Sequence, residues 1–239
     1  MHLVEGTITT TVSLLTSAGG ALAFGAACLG ARKELSGKAV PSLLAASGLV
    51  LVAQALNLAT GFGFSGHMIG AALLAIAFGP WSAMLAIGLV LSIQALALGD
   101  GSFSTLGANF LNMGLVASWS GYFAYQMGQK LLGGRQQYLS LGLAAYASTM
   151  CAALSLSLQV GGPFAGLLSC HALIGLIEAG LSIALYALCT AGSPAVEPRR
   201  LDWQPVLYAA LIACALLPFA SELPDGLEHS LSASVELAQ

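Results

Sequence analysis

Charged residues are scarce in this sequence. Asp, Glu, Lys and Arg make up only 7% of its 239 residues, whereas roughly 25% is usual for a soluble domain. This composition excludes an ordinary soluble enzyme, and it also excludes a disordered chain, because disordered chains are polar and rich in charge. The chain has seven Lys and Arg in total, no basic cluster and a formal net charge of −3. It therefore has no electrostatic basis for binding nucleic acid.

Several motifs that would indicate chemistry are also missing. The five cysteines form no CxxC pair and lie in apolar runs, which favours small packing residues over a disulfide or a thiolate site. There is no GxxxxGKS/T loop to bind ATP phosphates, no HExxH zinc-protease motif and no CxxCH haem site. The first residues lack a basic stretch, so a cleavable signal peptide is not expected. These absences predict a protein that is not an enzyme and carries no ATPase site of its own.

The sequence does contain long hydrophobic runs. Hydrophobic residues make up 57% of the chain, and a membrane-spanning helix needs about 20 of them in a row. The pattern predicts an all-α integral membrane protein, a polytopic bundle of about seven core helices plus one C-terminal transmembrane helix. The apolar runs fall at about 7–30, 40–60, 67–79, 80–98, 105–128, 138–160, 164–190 and 204–220. The short third run meets the fourth at Gly79-Pro80, which predicts a tight helical hairpin.

The basic residues predict the orientation. If the first run begins outside, all seven fall in cytoplasmic loops, as the positive-inside rule prefers: Arg32, Lys33, Lys38, Lys130, Arg135, Arg199 and Arg200. The N-terminus, the loops 61–67, 99–105 and 161–163, and the C-terminal tail are then outside. The stretch 191–203 is the best linker candidate. It is predicted to be a cytoplasmic linker between a bundle at 1–190 and a helix with a polar tail at 204–239.

In this orientation all four histidines lie in the outer half of the protein, and His2 has a way to bind metal that other histidines lack. The α-amine of Met1, the backbone amide nitrogen of His2 and its Nδ1 can chelate one metal ion through fused rings. Such a planar nitrogen set favours Ni²⁺ or Cu²⁺, with Co²⁺ also suitable, over tetrahedral Zn²⁺. His67 is on the same side and can supply the fourth nitrogen. Two plainer interpretations stay open: His2 as part of a frayed terminus, and His67 as an ordinary hydrogen-bonded histidine.

Motifs distributed over residues 1–190 resemble those of the CbiM/NikM family, the substrate-binding (S) components of energy-coupling-factor cobalt and nickel transporters. The segments that carry the resemblance are MHLVEG at 1–6, SGHMIGAAL at 65–73, GPW at 79–81, QALALGDG at 94–101, LGANFLNMG at 106–114 and HALIGLIEA at 171–179. Leu3 replaces a more usual Ile, and Ser102 stands where a second Gly is common. The tail segment PDGLE at 224–228 is similar to a motif of a small auxiliary membrane subunit, often called NikN-like, although this chain ends at Gln239 without a second span.

The resemblance implies a function and a set of partners. It implies a multi-pass protein of a prokaryotic plasma (inner) membrane that captures Ni²⁺ or Co²⁺ with high affinity from outside the cell. The metal site would be formed by Met1, His2 and His67, with the metal as transported substrate and no catalytic cofactor. The partners would be a transmembrane coupling (T) subunit, cytosolic ATPase subunits, a small auxiliary membrane subunit and the lipid bilayer. The alternative is a channel or structural membrane subunit for a non-metal solute, in which both histidines are incidental.

Six further residues are candidates for supporting the site. Metal-bound histidines usually donate their second N–H to an oxygen, and Asp100 or the side chain of Asn109 or Asn112 could accept it. Asparagines in these places could equally cap helices and hold a loop. Glu5 offers a negative charge near the terminus, or it begins the first helix.

His171 and Glu178 are seven residues apart and therefore share one helix face. An acid inside a membrane span usually faces the protein interior with a partner. The pair could support the metal site and anchor the outer loops, or it could fix helix packing through a hydrogen bond. Neither residue is expected to be a direct ligand.

Overall fold

The computed structural model describes residues 2–35, 39–132, 136–162, 164–190, 211, 214–215, 218 and 220–236. It confirms an all-α membrane protein. The helices are α1 (Thr10–Glu34), α2 (Val40–Ala55), α3 (Ala71–Phe78), α4 (Pro80–Ile93), α5 (Leu106–Asn109), α6 (Ala117–Leu131), α7 (Gln137–Val160), α8 (Phe164–Thr190) and α9 (Gly226–Glu236). The predicted linker at 191–203 and most of the predicted helix at 204–220 lie outside the described residues.

Four helical segments are long and apolar enough to cross a membrane. They are Thr10–Glu34, Pro80–Leu98, Gln137–Val160 and Phe164–Leu188, and Val40–Ala55 is a shorter apolar helix. The eight residues of α3 are too few to cross a bilayer, since a span needs about 20. This arrangement makes the chain a multi-pass membrane protein.

The predicted hairpin at Gly79-Pro80 is present and is closed by a carboxylate. Helix α3 ends at Phe78 and α4 begins at Pro80. The Glu34 side chain, at the end of α1, accepts hydrogen bonds from the backbone N–H groups of Trp81 and Ser82 at 3.3 and 2.7 Å. Gly79 has a φ of +96°, and a Cβ at this position would lie 2.4 Å from the Glu34 carboxyl carbon. Only glycine therefore fits between the two helices here.

Two π-helical segments interrupt the α-helical path. Helix α4 continues as a π-helix over Gln94–Leu98, and α5 runs through a second π-helix, Phe110–Val116, into α6. A 3₁₀ turn over Phe103–Thr105 precedes α5. The first π-helix ends at Gly99 in the left-handed conformation, and Asp100 follows directly. Such π-bulges are frequent at functional sites.

The predicted outer elements meet at one end of the bundle. Strands β1 (Leu58–Ala59) and β2 (Ser65–Gly66) pair as a short antiparallel hairpin. On its other side, Ser65 donates its N–H to the Pro224 carbonyl at 2.8 Å and its hydroxyl to the Leu223 carbonyl at 2.7 Å. Residues 220–236, named here the C-terminal segment, therefore extend the hairpin and then form α9, which packs on α8.

Candidate metal site

Residues 2 and 3, named here the N-terminal segment, are fixed inside the bundle and are not frayed. His2 and Leu3 are buried. The Leu3 backbone N–H donates to the Asn109 side-chain oxygen at 2.8 Å, and the Asn109 amide donates back to the Leu3 carbonyl at 3.0 Å. The Thr105 hydroxyl donates to the same carbonyl at 2.6 Å. One asparagine thus satisfies both backbone polar groups of Leu3 and sets the position of the residue before it.

Two imidazole rings meet at this position. The rings of His2 and His67 are stacked, with centroids 4.9 Å apart and planes within 14°, and both residues are buried. The His67 Nδ1 lies 3.2 Å from the Met68 carbonyl, which places the ring proton on Nδ1 and the lone pair on Nε2. Burial, reinforced by the charge of the neighbouring His2, lowers the pKa of His67 to about 3. The ring is therefore a neutral nitrogen donor at any physiological pH.

Asp100 is the carboxylate that reaches the His2 ring. Its Oδ1 lies 3.1 Å from the His2 Nδ1, and 42% of its side chain is exposed. Burial alone would raise the pKa of Asp100, but the hydrogen bond and the charge of His2 outweigh it and lower that pKa. An ionised carboxylate therefore stands between solvent and the two histidines, where it attracts cations.

The loop that carries His67 is held from two sides. Glu178, on α8, accepts the Ile69 and Gly70 N–H groups at 3.1 and 2.9 Å and the Thr149 hydroxyl at 2.7 Å. From α2, the Gln54 amide donates to the Ile69 carbonyl at 2.7 Å. Glu178 therefore anchors this outer loop to α7 and α8, and its three donors satisfy the carboxylate without a cation.

The structure gives the other candidates different surroundings. Asn112 bonds to Ser155 and Gln159 on α7. Glu5 is exposed in a turn, and Thr9, not Glu5, caps α1. His171 is fully buried, and its Nδ1 lies 2.7 Å from the Leu167 carbonyl. Met1 lies outside the described residues.

Sequence reasoning did not place the C-terminal segment at the site. Asp225 bridges to Ser65, two residues before His67, and the His229 ring lies 5.3 Å from that of Phe64. The Asp225 carboxylate also accepts the Leu227 and Glu228 N–H groups at 2.8 and 2.9 Å, which caps α9. The basic residues had placed the C-terminal tail on the same side as the loop 61–67, and the PDGLE motif had marked the segment, but neither signal showed where the segment packs.

The chemistry available here is nitrogen coordination. Among the described residues, no group of three or more His, Cys, Asp or Glu side chains converges as a metal site. A site at His2 and His67 would be completed by groups other than such side chains, for example backbone nitrogens. Ligands of that kind suit ions that prefer planar nitrogen sets.

Comparisons with known proteins identify relatives in nickel and cobalt transport. A family model described as "Cobalt uptake substrate-specific transmembrane region" matches residues 2–196. The chain is 37% identical over 122 residues to the "Probable fused nickel transport protein LarMN" of Lactiplantibacillus plantarum, which covers 51% of this chain and 36% of that protein. It is 29% identical over 212 residues to "Cobalt transport protein CbiM" of Geobacter sulfurreducens, covering 78% of this chain and 61% of that one. The chain thus spans less than two thirds of either relative.

A solved structure shares the fold. The crystal structure of a truncated transition metal transporter superposes with a TM-score of 0.70 at 27% identity. The match covers 79% of this chain and 98% of that one.

Proposed function

The chain belongs to the CbiM family of cobalt uptake substrate-specific transmembrane proteins, and from that premise we propose that it captures Ni²⁺ or Co²⁺ from outside the cell. The ion would be bound by the α-amine of Met1, the amide and Nδ1 nitrogens of His2 and the Nε2 of His67. The stacked, buried pair of His2 and His67 carries this proposal. Family membership makes the protein a metal-transport component and not an enzyme.

The fixed N-terminal segment supports selective binding. Because Asn109 holds the Leu3 backbone, the position of His2 is fixed. Arranging the ligands around a square-planar ion therefore costs little free energy. Zn²⁺ is disfavoured because it prefers a tetrahedral set. Cu²⁺ binds such nitrogens at least as strongly as Ni²⁺, so discrimination against it depends on geometry or on low copper availability.

Asp100 would change its partner atom when the ion binds. The chelate uses the Nδ1 of His2, and this is the atom that contacts Asp100 in the structure. Metal-bound histidines usually donate their other ring N–H to a carboxylate or a carbonyl. We therefore place Asp100 as the group that guides the dication inward and then accepts the Nε2–H of His2.

Energy for release must come from other subunits. The sequence has no phosphate-binding loop, so the proposed importer includes cytosolic ATPase subunits and a transmembrane coupling subunit. ATP-dependent uptake into vesicles should require all of them. Uptake by this chain alone would contradict this part of the proposal.

Calorimetry of Ni²⁺ binding to the purified chain tests the capture site. One ion per chain should bind, and affinity should fall about a hundredfold from pH 7.5 to 6.5, because the amide and the α-amine, whose usual pKa is about 7.7–8.0, must each release a proton. His67 adds nothing to this slope, because its lowered pKa of about 3 keeps it neutral throughout that window. A flat pH profile would rule out the chelate.

A second prediction concerns the residue that holds the terminus. Asn109→Leu should weaken Ni²⁺ binding about 10–100-fold, since the buried Leu3 N–H would lose its partner at a cost of about 1–3 kcal/mol, while Thr105 keeps its bond to the Leu3 carbonyl. Asn112→Leu is the matched control. Asn112 lies three residues further along the same helical path and bonds to α7 instead of to the N-terminal segment. Equal losses of affinity in the two variants would show that Asn109 has no specific role.

A further inference from the structure

His171 presents a nitrogen lone pair that the fold does not use. Its Nδ1 lies 2.7 Å from the carbonyl of Leu167, one helical turn earlier, so the ring proton is on Nδ1. The Nε2 is fully buried and has no hydrogen-bond partner among the described residues. A buried acceptor without a donor costs free energy, and such a group in a native protein calls for an explanation, such as a catalytic role or a bound water or ion.

The ring of His171 lies close to the loop that carries His67 and contacts the C-terminal segment. A Cβ at Gly226 would lie 3.3 Å from the Cε1 of His171, so the turn after Asp225 passes directly over the ring. Ile174, three residues further along α8, contacts β2, where a Cβ at Gly66 would lie 2.5 Å from it. His171 is therefore about one helical turn from the strand that precedes His67. In the predicted orientation, this part of α8 lies on the outer side of the membrane.

The protonation pattern of His171 is that of a metal ligand. Metal-binding histidines typically donate one ring N–H to a backbone carbonyl, which fixes the tautomer and leaves the other nitrogen for the ion. A single imidazole cannot hold an ion on its own, and no larger group of side-chain ligands converges among the described residues. Binding at this nitrogen would therefore be brief.

We propose that His171 is a transit ligand, whose Nε2 binds the incoming Ni²⁺ or Co²⁺ between the Asp225–Gly226 turn and the site at His2 and His67. This inference rests on the proposed function. A dication that leaves water must lose its hydration shell stepwise, and a nitrogen along the route replaces one water before the chelate forms. Because the same state is crossed in both directions, His171 accelerates loading and release equally and leaves the affinity unchanged.

Stopped-flow measurement of Ni²⁺ loading of the full chain, and of its release to excess chelator, tests this inference. His171→Gln and His171→Phe should slow both rates by about tenfold, which is one barrier step of about 1.4 kcal/mol, with the dissociation constant unchanged. His229→Gln is the control, because it removes an outer histidine whose ring lies 5.3 Å from that of Phe64. It should leave both rates as in the wild type.

The remaining outcomes distinguish a failure of the transit role from a failure of the proposed function. Wild-type rates in both His171 variants would overturn the inference, and so would a weaker affinity caused by faster release alone, which would indicate a structural role. The variant His2→Ala, measured in the same assay, reports on the capture site. If it binds Ni²⁺ like the wild type, the proposed function has failed, and the transit role fails with it. If it loses binding while the His171 variants match the wild type, only the transit role is wrong.

Discussion

Adding two residues before Met1 should abolish Ni²⁺ binding while the protein stays folded. The extension converts the α-amine into an amide, which removes one nitrogen ligand and one chelate ring. We expect the affinity to fall at least about a thousandfold, equivalent to about 4 kcal/mol. The measurement is calorimetry of the purified chain, with metal content determined by mass spectrometry.

The control for this experiment is the same two residues added after Gln239. The melting temperature of both extended chains should match the wild type, because the hydrogen bonds between Leu3 and Asn109 do not involve the α-amine. Equal Ni²⁺ binding by the two extended chains would exclude the terminal chelate. The metal would then have to bind elsewhere in the bundle.

Replacing Glu178 by leucine should have the largest effect on stability. The carboxylate accepts hydrogen bonds from Ile69, Gly70 and Thr149. Leucine would leave the two backbone donors buried without a partner, whereas the Thr149 hydroxyl keeps the Ala145 carbonyl at 3.2 Å. Each unsatisfied group costs about 1–3 kcal/mol, so the two together are a large part of the stability of a typical domain, about 5–15 kcal/mol. The variant should therefore melt far below the wild type, or fail to accumulate in the membrane.

Glu178→Gln separates folding from metal binding. Glutamine keeps one acceptor oxygen, but its NH₂ group would face a hydrogen-bond donor of the protein. We therefore expect the loop that carries His67 to be less firmly held, while the helices remain folded. We expect this variant to have a lower melting temperature and a weaker affinity for Ni²⁺ than the wild type. Glu228→Gln is the matched control, because this carboxyl is exposed and, among the described residues, accepts a hydrogen bond from the Asp225 N–H alone. Wild-type melting of Glu178→Leu would contradict the anchoring role.

Much of the fold follows from local patterns. Apolar length predicted the four helical segments that are long enough to cross a membrane, Gly79-Pro80 predicted the helical hairpin, and the spacing of His171 and Glu178 predicted that they share a helix face, which is buried. Each of these features depends on residues close together in the chain. The third apolar run was too short to span, and α3 is correspondingly an eight-residue helix.

Features that depend on distant residues were not predictable. The bonds between Asn109 and Leu3 join positions 106 residues apart, and those between Ser65 and the C-terminal segment join positions almost 160 apart. The π-helices at Gln94–Leu98 and Phe110–Val116 likewise depend on the surrounding packing, and no periodicity reveals them. Sequence reasoning proposed Asn109 as an acceptor for a histidine, whereas the structure places it on the backbone of Leu3.

The anchoring of the loop by Glu178 has a consequence for biosynthesis. Gly70 and Glu178 are 108 residues apart, and the ribosome adds about 5–20 residues per second. The loop that carries His67 is therefore without its carboxylate partner for roughly 5–20 s after it is synthesised. The hairpin waits longer still for residues 223–225. Metal-binding competence should thus be acquired late, after insertion of the last core helix, and a nascent chain stalled before residue 178 should hold no ion.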